Sequence, residues 1–335
     1  MSDASRIWTH IDFDRTGKQS GNLHVPHSVD LSAYAMVQIP VVCIRHGDGP
    51  TALLTAGNHG DEYEGQIALR NLARDLEPAM LRGRVIIIPS LNYPAAEAGR
   101  RVSPIDEGNL NRLFPGRANG SITEMIAHYV ESVLFPMADL VIDLHSGGRS
   151  LNYSHTALAQ RVDDPEQDKV LRTLLQVFGA PNSVLTTGSG GGGATTLYAA
   201  ASKRKIPALT TELGSGATLD PDALIIAEQG TRRVLRHYGI APELACDPAP
   251  ATRLLRSLGP RHAIYAPRAG LMEPLVEVGD SVQEGQPALR LYSLEEPLTA
   301  PLTLHFNADG VVSCRRFPTL CARGDGLFHL ATPIA

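Results

Sequence analysis

Along the first part of the chain, up to about Tyr238, two hydropathy textures alternate. Short, almost wholly apolar runs occur at residues 37–45, 52–56, 85–89, 140–145 and 208–212, the pattern of strands buried on both faces. Between them lie longer stretches with a period near 3.6 residues. Residues 64–76 place Ile67, Leu69, Leu72 and Leu76 largely along one side, and 123–135 and 222–238 follow the same spacing. Such alternation predicts an α/β sheet covered by helices on both faces, with ligands held in loops at the carboxyl ends of the strands.

After Gly239 the texture changes. Pro242, Pro248 and Pro250 punctuate a polar stretch that ends near Arg253 and reads as a linker. From Arg261 onward short runs are interrupted by Gly270, Gly279, Gly285, Gly310, Gly324 and Gly326, with no good helix, which predicts an all-β unit. The chain is therefore expected to divide into a catalytic domain at 1–245 and an all-β domain at 255–335. Residues 270–286 resemble the half-barrel hairpin of lipoyl and biotinyl carrier domains. No lysine follows Arg261, so a carrier attachment site is absent and a cap or oligomerisation role fits better.

Composition narrows the function class. A chain of 335 residues with 43% hydrophobic content can bury a sizeable core. The net charge of −5, without a basic run, gives no footprint for nucleic acid or an acidic membrane surface. Cys43, Cys246, Cys314 and Cys321 are far apart and form no thiolate metal or redox motif. With a polar N-terminus and no apolar run long enough to span a bilayer, a cytoplasmic protein acting on small molecules is expected.

Three of the predicted strands end in residues able to bind a divalent metal or move a proton. Gly57-Asn58-His59-Gly60-Asp61-Glu62 follows one strand, Asp143-Leu144-His145 ends another, and Glu212 ends a third. Two imidazoles and one carboxylate, His59, Glu62 and His145, leave a fourth tetrahedral position for water, the arrangement of hydrolytic rather than structural zinc. Taken singly, His59 with Glu62 reads as well as an exposed turn pair, and His145 as a hydrogen-bonded strand-end histidine; together, in this order, they point to one zinc ion per chain. Asp61 and Asp143 are both candidates to orient the imidazoles. Glu212 remains as the candidate general base. The run Gly188-Ser189-Gly190-Gly191-Gly192-Gly193 lacks the Lys-Ser/Thr of a phosphate loop, leaving a lid or simple loop filler.

His59-Gly60-Asp61-Glu62, Asn111-Arg112, His145 and Glu212, in that order, resemble the succinylglutamate desuccinylase and aspartoacylase family, related to zinc carboxypeptidases. Within it, the segments around Gly57–Gly65, Ser103–Asp106, Gly108–Arg112, Phe114–Gly116 and Asp143–Gly148 are similar to the deacetylases that act on N-alpha-acetyl-L-2,4-diaminobutyrate in ectoine degradation. The resemblance implies a zinc-carboxypeptidase-like mixed sheet flanked by helices, with a barrel-sandwich-like β domain at the C-terminus. It assigns Asn111 and Arg112 to the substrate carboxylate, a role that the guanidinium fork suits. Arg101 or Arg100 is left to polarise the scissile carbonyl. Glu212 is given the proton shuttle. Many relatives carry aspartate at the position of Asn109. The implied reaction is hydrolysis of an acyl group, with acetyl as the leading case, from the α-nitrogen of a small amino acid, and a homo-oligomer is compatible with it. A dicarboxylic substrate, a peptide substrate and a non-catalytic metal-binding or assembly role are the alternatives. For the diamine, Asp106 and Glu107 are candidates to receive the γ-ammonium.

Overall fold

The computed structural model describes residues 4–187 and 193–334, so the glycine run at 188–193 lies outside them but for Gly193. The expected strands form as Met36–Arg45, Thr51–Ala56, Arg84–Ile88, Leu140–Leu144 and Ala208–Glu212. Every residue of Thr51–Ala56 and Leu140–Leu144 is buried, as their apolar character requires. Successive side chains go to opposite faces of the sheet. Ala52, Leu54, Leu140 and Ile142 enter one core, under the helices Glu64–Asp75, Pro165–Phe178 and Pro221–His237. Leu53, Val141, Ile86 and Ile88 enter the other, with Met125 and Ile126 of Ile122–Tyr129 and the helix Leu197–Lys203.

Four parallel strands form the middle of the sheet, in the order Arg84–Ile88, Thr51–Ala56, Leu140–Leu144, Ala208–Glu212. Met36–Arg45 and Thr156–Gln160 flank them antiparallel, so the sheet is mixed. Register matters most for the chemistry. Ala56 pairs with Leu144 and Asp143 with Thr210, which brings the carboxyl ends of three neighbouring strands to one level.

The helix predicted over 123–135 is regular only at Ile122–Tyr129 and then widens, with the Phe135 N–H donating to the Val130 carbonyl. Among the helices absent from the hydropathy reading, Pro165–Phe178 is the longest. Its ends are nonetheless marked: the Asp164 carboxylate accepts from the Glu166 and Gln167 N–H groups, and Gly179 closes it with φ 70°. The strands Gly17–Pro26 and Asn182–Thr186 were likewise not expected.

At the C-terminal side, Leu302–His305, Pro287–Tyr292, Gly270–Pro274 and Leu320–Cys321 form a separate antiparallel sheet. Met272, Leu289 and Leu291 of this sheet pack with Val312, Phe328 and Leu330 of the large one, a sandwich around its own core. The expected linker ends in a strand, Arg253–Ser257, which pairs with Asn182–Thr186 on one side and Gly326–Pro333 on the other. The large sheet thus runs unbroken from one part into the next. Gly310–Arg316 also pairs with the short strand Leu151–Tyr153, setting Cys314 beside Tyr153.

Candidate active site

The turn after Thr51–Ala56 is closed by glycines. Gly57 has φ 64°, and a Cβ there would come within 2.9 Å of the Ser90 Cα; at Gly60 it would collide with the Ala95 backbone. This fit turns His59 and Glu62 inward, and both are buried. Glu62 bridges the two imidazoles: Oε1 lies 2.7 Å from His59 Nδ1 and Oε2 lies 2.7 Å from His145 Nδ1. Ligand atoms of His59, Glu62 and His145 all fall within 4.8 Å of one another.

The far nitrogens of both rings are held from behind. His145 Nε2 is 2.9 Å from Asp143 Oδ2, and Asp143 in turn accepts from Thr55 Oγ1 at 2.7 Å and Asn58 Nδ2 at 3.3 Å. His59 Nε2 is 3.2 Å from Asn109 Oδ1. Asp61 plays no such part: its carboxylate accepts the Arg149 N–H at 3.0 Å and holds the turn after His145. Burial would raise the Glu62 carboxyl, but the His59 and His145 charges hold it well below the usual range. Burial lowers His59, whereas at His145 the Asp143 and Glu62 carboxylates outweigh burial and raise it. A buried set of two nitrogens and one carboxylate, with both rings braced through their opposite nitrogens, fits the donor chemistry and second layer of a hydrolytic zinc site.

His59 opens on a cavity of about 180 Å³ lined also by Arg101, Asn111, Arg112, Ser146, Tyr153, Tyr198 and Glu212. Arg101 Nη1 reaches His59 Nδ1 at 3.3 Å and Glu62 Oε1 at 3.7 Å. Arg100 instead pairs with Glu107 at 3.0 Å on the surface, and of the two arginines Arg101 is the one that lines the cavity. Asn111 is fixed where its Oδ1 accepts the Leu197 N–H at 2.9 Å, and Arg112 donates to the Asn111 carbonyl at 2.8 Å. Burial, with the Glu62 carboxylate adding to it, pushes Glu212 up to about 8.

Asp106 and Glu107 do not reach the cavity. Asp106 accepts from the Thr123 N–H and hydroxyl, both at 2.8 Å, and from the Gly108 N–H at 3.1 Å, so it braces the start of a helix. Glu107 is spent on Arg100. Conversely, Tyr153, Leu158, Thr186, Thr196 and Tyr198 line the cavity without any local motif to announce them. Asn109 was noted only as a departure from relatives, and its contact with His59 gives that departure a place.

Residues 48–238 match the family model described as "Succinylglutamate desuccinylase/Aspartoacylase catalytic domain". A curated relative from Halomonas elongata, N-alpha-acetyl-L-2,4-diaminobutyric acid deacetylase, is 42% identical over 327 residues, 98% of this chain and 95% of the relative. The product-bound structure of the ectoine utilization protein EutE from Ruegeria pomeroyi superposes with a TM-score of 0.93 at 38% identity, covering 98% of this chain and 99% of its own. A succinylglutamate desuccinylase/aspartoacylase structure from Rhodobacter sphaeroides gives 0.91 at 37% identity, with 98% and 100% covered. The chain belongs to the succinylglutamate desuccinylase/aspartoacylase family.

Proposed function

We propose that this enzyme is a zinc-dependent amide hydrolase that removes the acetyl group from the α-nitrogen of N-alpha-acetyl-L-2,4-diaminobutyrate, a step of ectoine degradation. One observation carries the reading: the His59, Glu62 and His145 donor set reaches, through His59, a small cavity lined by Glu212, Arg101 and Arg112. The identity to the Halomonas elongata deacetylase supports the substrate. Zinc held by His59, Glu62 and His145 would supply a Lewis acid for the water and the carbonyl.

The chain's own groups do the rest. Arg112, with Asn111, receives the substrate carboxylate, the guanidinium offering paired N–H donors in one plane. Arg101 faces the acyl carbonyl oxygen and steadies the negative charge that gathers there. Glu212 takes a proton from the attacking water and passes it to the departing amine nitrogen. Burial raises this carboxyl above its ordinary value, which favours its taking up the proton that it then passes on. The products are acetate and a free amino acid. Among the described residues no helix is long and apolar enough to cross a membrane. Buried free thiols at Cys43, Cys314 and Cys321 suit the reducing cytoplasm, where we place the enzyme.

A cavity of about 180 Å³ suits an acylated amino acid better than a peptide. A dicarboxylate would need a cation besides Arg112, and the other arginine of the cavity, Arg101, is given to the acyl carbonyl. The test is hydrolysis of Nα-acetyl-2,4-diaminobutyrate, N-acetylaspartate and N-succinylglutamate by the zinc-loaded enzyme. Turnover of the first alone is expected; turnover of a dicarboxylate instead would overturn the substrate assignment, and no turnover of any would overturn the enzyme.

A further inference from the structure

A substrate with a γ-ammonium group sets the cavity a problem. Arg101 and Arg112 repel it, and the two acidic residues nearest in sequence to the clamp, Asp106 and Glu107, point elsewhere. Leaving the ammonium desolvated and unpaired would cost binding rather than add to it. Several polar groups of the lining already have partners of their own. The Asn111 side-chain oxygen is occupied by the Leu197 N–H, the Ser146 hydroxyl is turned to Glu64, and the Tyr198 hydroxyl is engaged by Thr196 and Thr186.

Tyr153 differs from these. It ends the short strand Leu151–Tyr153, which is clamped from two directions: by Gly310–Arg316 through the Cys314–Tyr153 pair, and by the bridge from Asn152 to Ser215, just beyond Glu212. Its side chain lines the cavity directly across the strand pair from the buried Cys314, within the field of Glu212. Burial, reinforced by Glu212, pushes Cys314 up to about 12, so it stays a neutral thiol. Beside a neutral thiol, a phenol can turn its proton to the sulfur and keep its oxygen lone pairs for an incoming N–H.

We infer that Tyr153 is a specificity-determining residue, its phenolic oxygen accepting from the γ-ammonium of the substrate while Cys314 fixes the rotamer from behind. The inference rests on the deacetylase reading above and adds the group that tells a diamino acid from a neutral one. It also gives the C-terminal β part a task, since Cys314 belongs to it.

The experiment compares zinc-loaded wild type with Tyr153→Phe on Nα-acetyl-L-2,4-diaminobutyrate and on Nα-acetyl-L-norvaline, in which a methyl group replaces the ammonium. In parallel, calorimetry measures binding of free 2,4-diaminobutyrate and norvaline. Loss of one hydrogen bond to a charged group should lower the diamine-to-norvaline ratio of kcat/KM by about tenfold or more, chiefly through KM, and weaken 2,4-diaminobutyrate binding by a similar factor. Cys314→Ala should move the ratio in the same direction by less. An unchanged ratio in an active enzyme, or an equal loss on both substrates, would overturn the assignment of Tyr153 alone. Wild type inactive on the diamine would remove the deacetylase reading, and this assignment with it.

Discussion

The metal-binding side of the cavity and its remaining lining are built in opposite ways. His59, Glu62 and His145 stand at the ends of two adjacent parallel strands, all buried, and each is fixed by hydrogen bonds to neighbours of the same strand-end cluster. Tyr153, Leu158, Thr186, Thr196 and Tyr198 come from separate segments, and the placement of Tyr153 depends on pairing with the distant strand Gly310–Arg316. The reactive side is specified locally; the selective side is assembled by the tertiary fold. Substitutions on the first should therefore change rate or metal content, and those on the second should change which substrate is preferred.

The sharpest way to break that contrast is Glu212→Gln. It should reduce kcat by about 10³-fold while metal content and melting temperature stay near wild type, as checked by steady-state kinetics, elemental analysis and thermal unfolding. A loss under tenfold would take Glu212 out of the chemistry. Arg112→Ala should come next, raising KM by roughly ten- to hundredfold, with Arg112→Lys recovering only part because an ammonium cannot make the paired contact. Asp143→Asn should weaken metal affinity by roughly 10- to 100-fold, measured by competition with a chromophoric chelator, since the brace behind His145 loses its charge.

The smallest effect should be at Asp106. Burial would raise its carboxyl, but hydrogen bonds from the Thr123 backbone and from Ser121, Thr123 and Ser103 side chains hold it below the usual value. A depressed carboxyl contributes stability that is present above its unfolded pKa and is lost as the pH falls below about 4. Asp106→Asn should thus destabilise by about 1 kcal/mol near neutrality and converge with wild type in acid, by urea unfolding at each pH. Its diamine-to-norvaline preference should match wild type. A shift in that preference would return Asp106 to the selective side.

The same contrast explains what could be read from the chain. Residues 52–56 and 140–144 announce themselves as strands because both faces are buried, and ligand-type residues at their ends stand out against an apolar run. Gly17–Pro26 does not, because only Leu23 and Val25 of it are buried. The helix Pro165–Phe178 was legible too, from Asp164 and Gly179 at its ends and from the stripe Leu171, Leu174, Leu175 and Phe178 between them, though the hydropathy reading passed over it. Asp61 and Asp143 each lie two residues from an imidazole, and only the turn geometry decides that Asp143 faces a ring while Asp61 faces the Arg149 N–H. Nothing near Tyr153 in sequence names Cys314 as its support.

The strand Arg253–Ser257 has a further consequence for anyone cutting the chain at the apparent linker. It covers the backbone groups of Asn182–Thr186, whose other side is already paired with Thr156–Gln160. A fragment stopped near residue 245 would leave a strand that is buried in the whole chain with one row of amides and carbonyls bare, a template for edge-to-edge association. Such a fragment should precipitate rather than persist as a small stand-alone catalyst, and the C-terminal part would then be as much a solubility device as a piece of the enzyme.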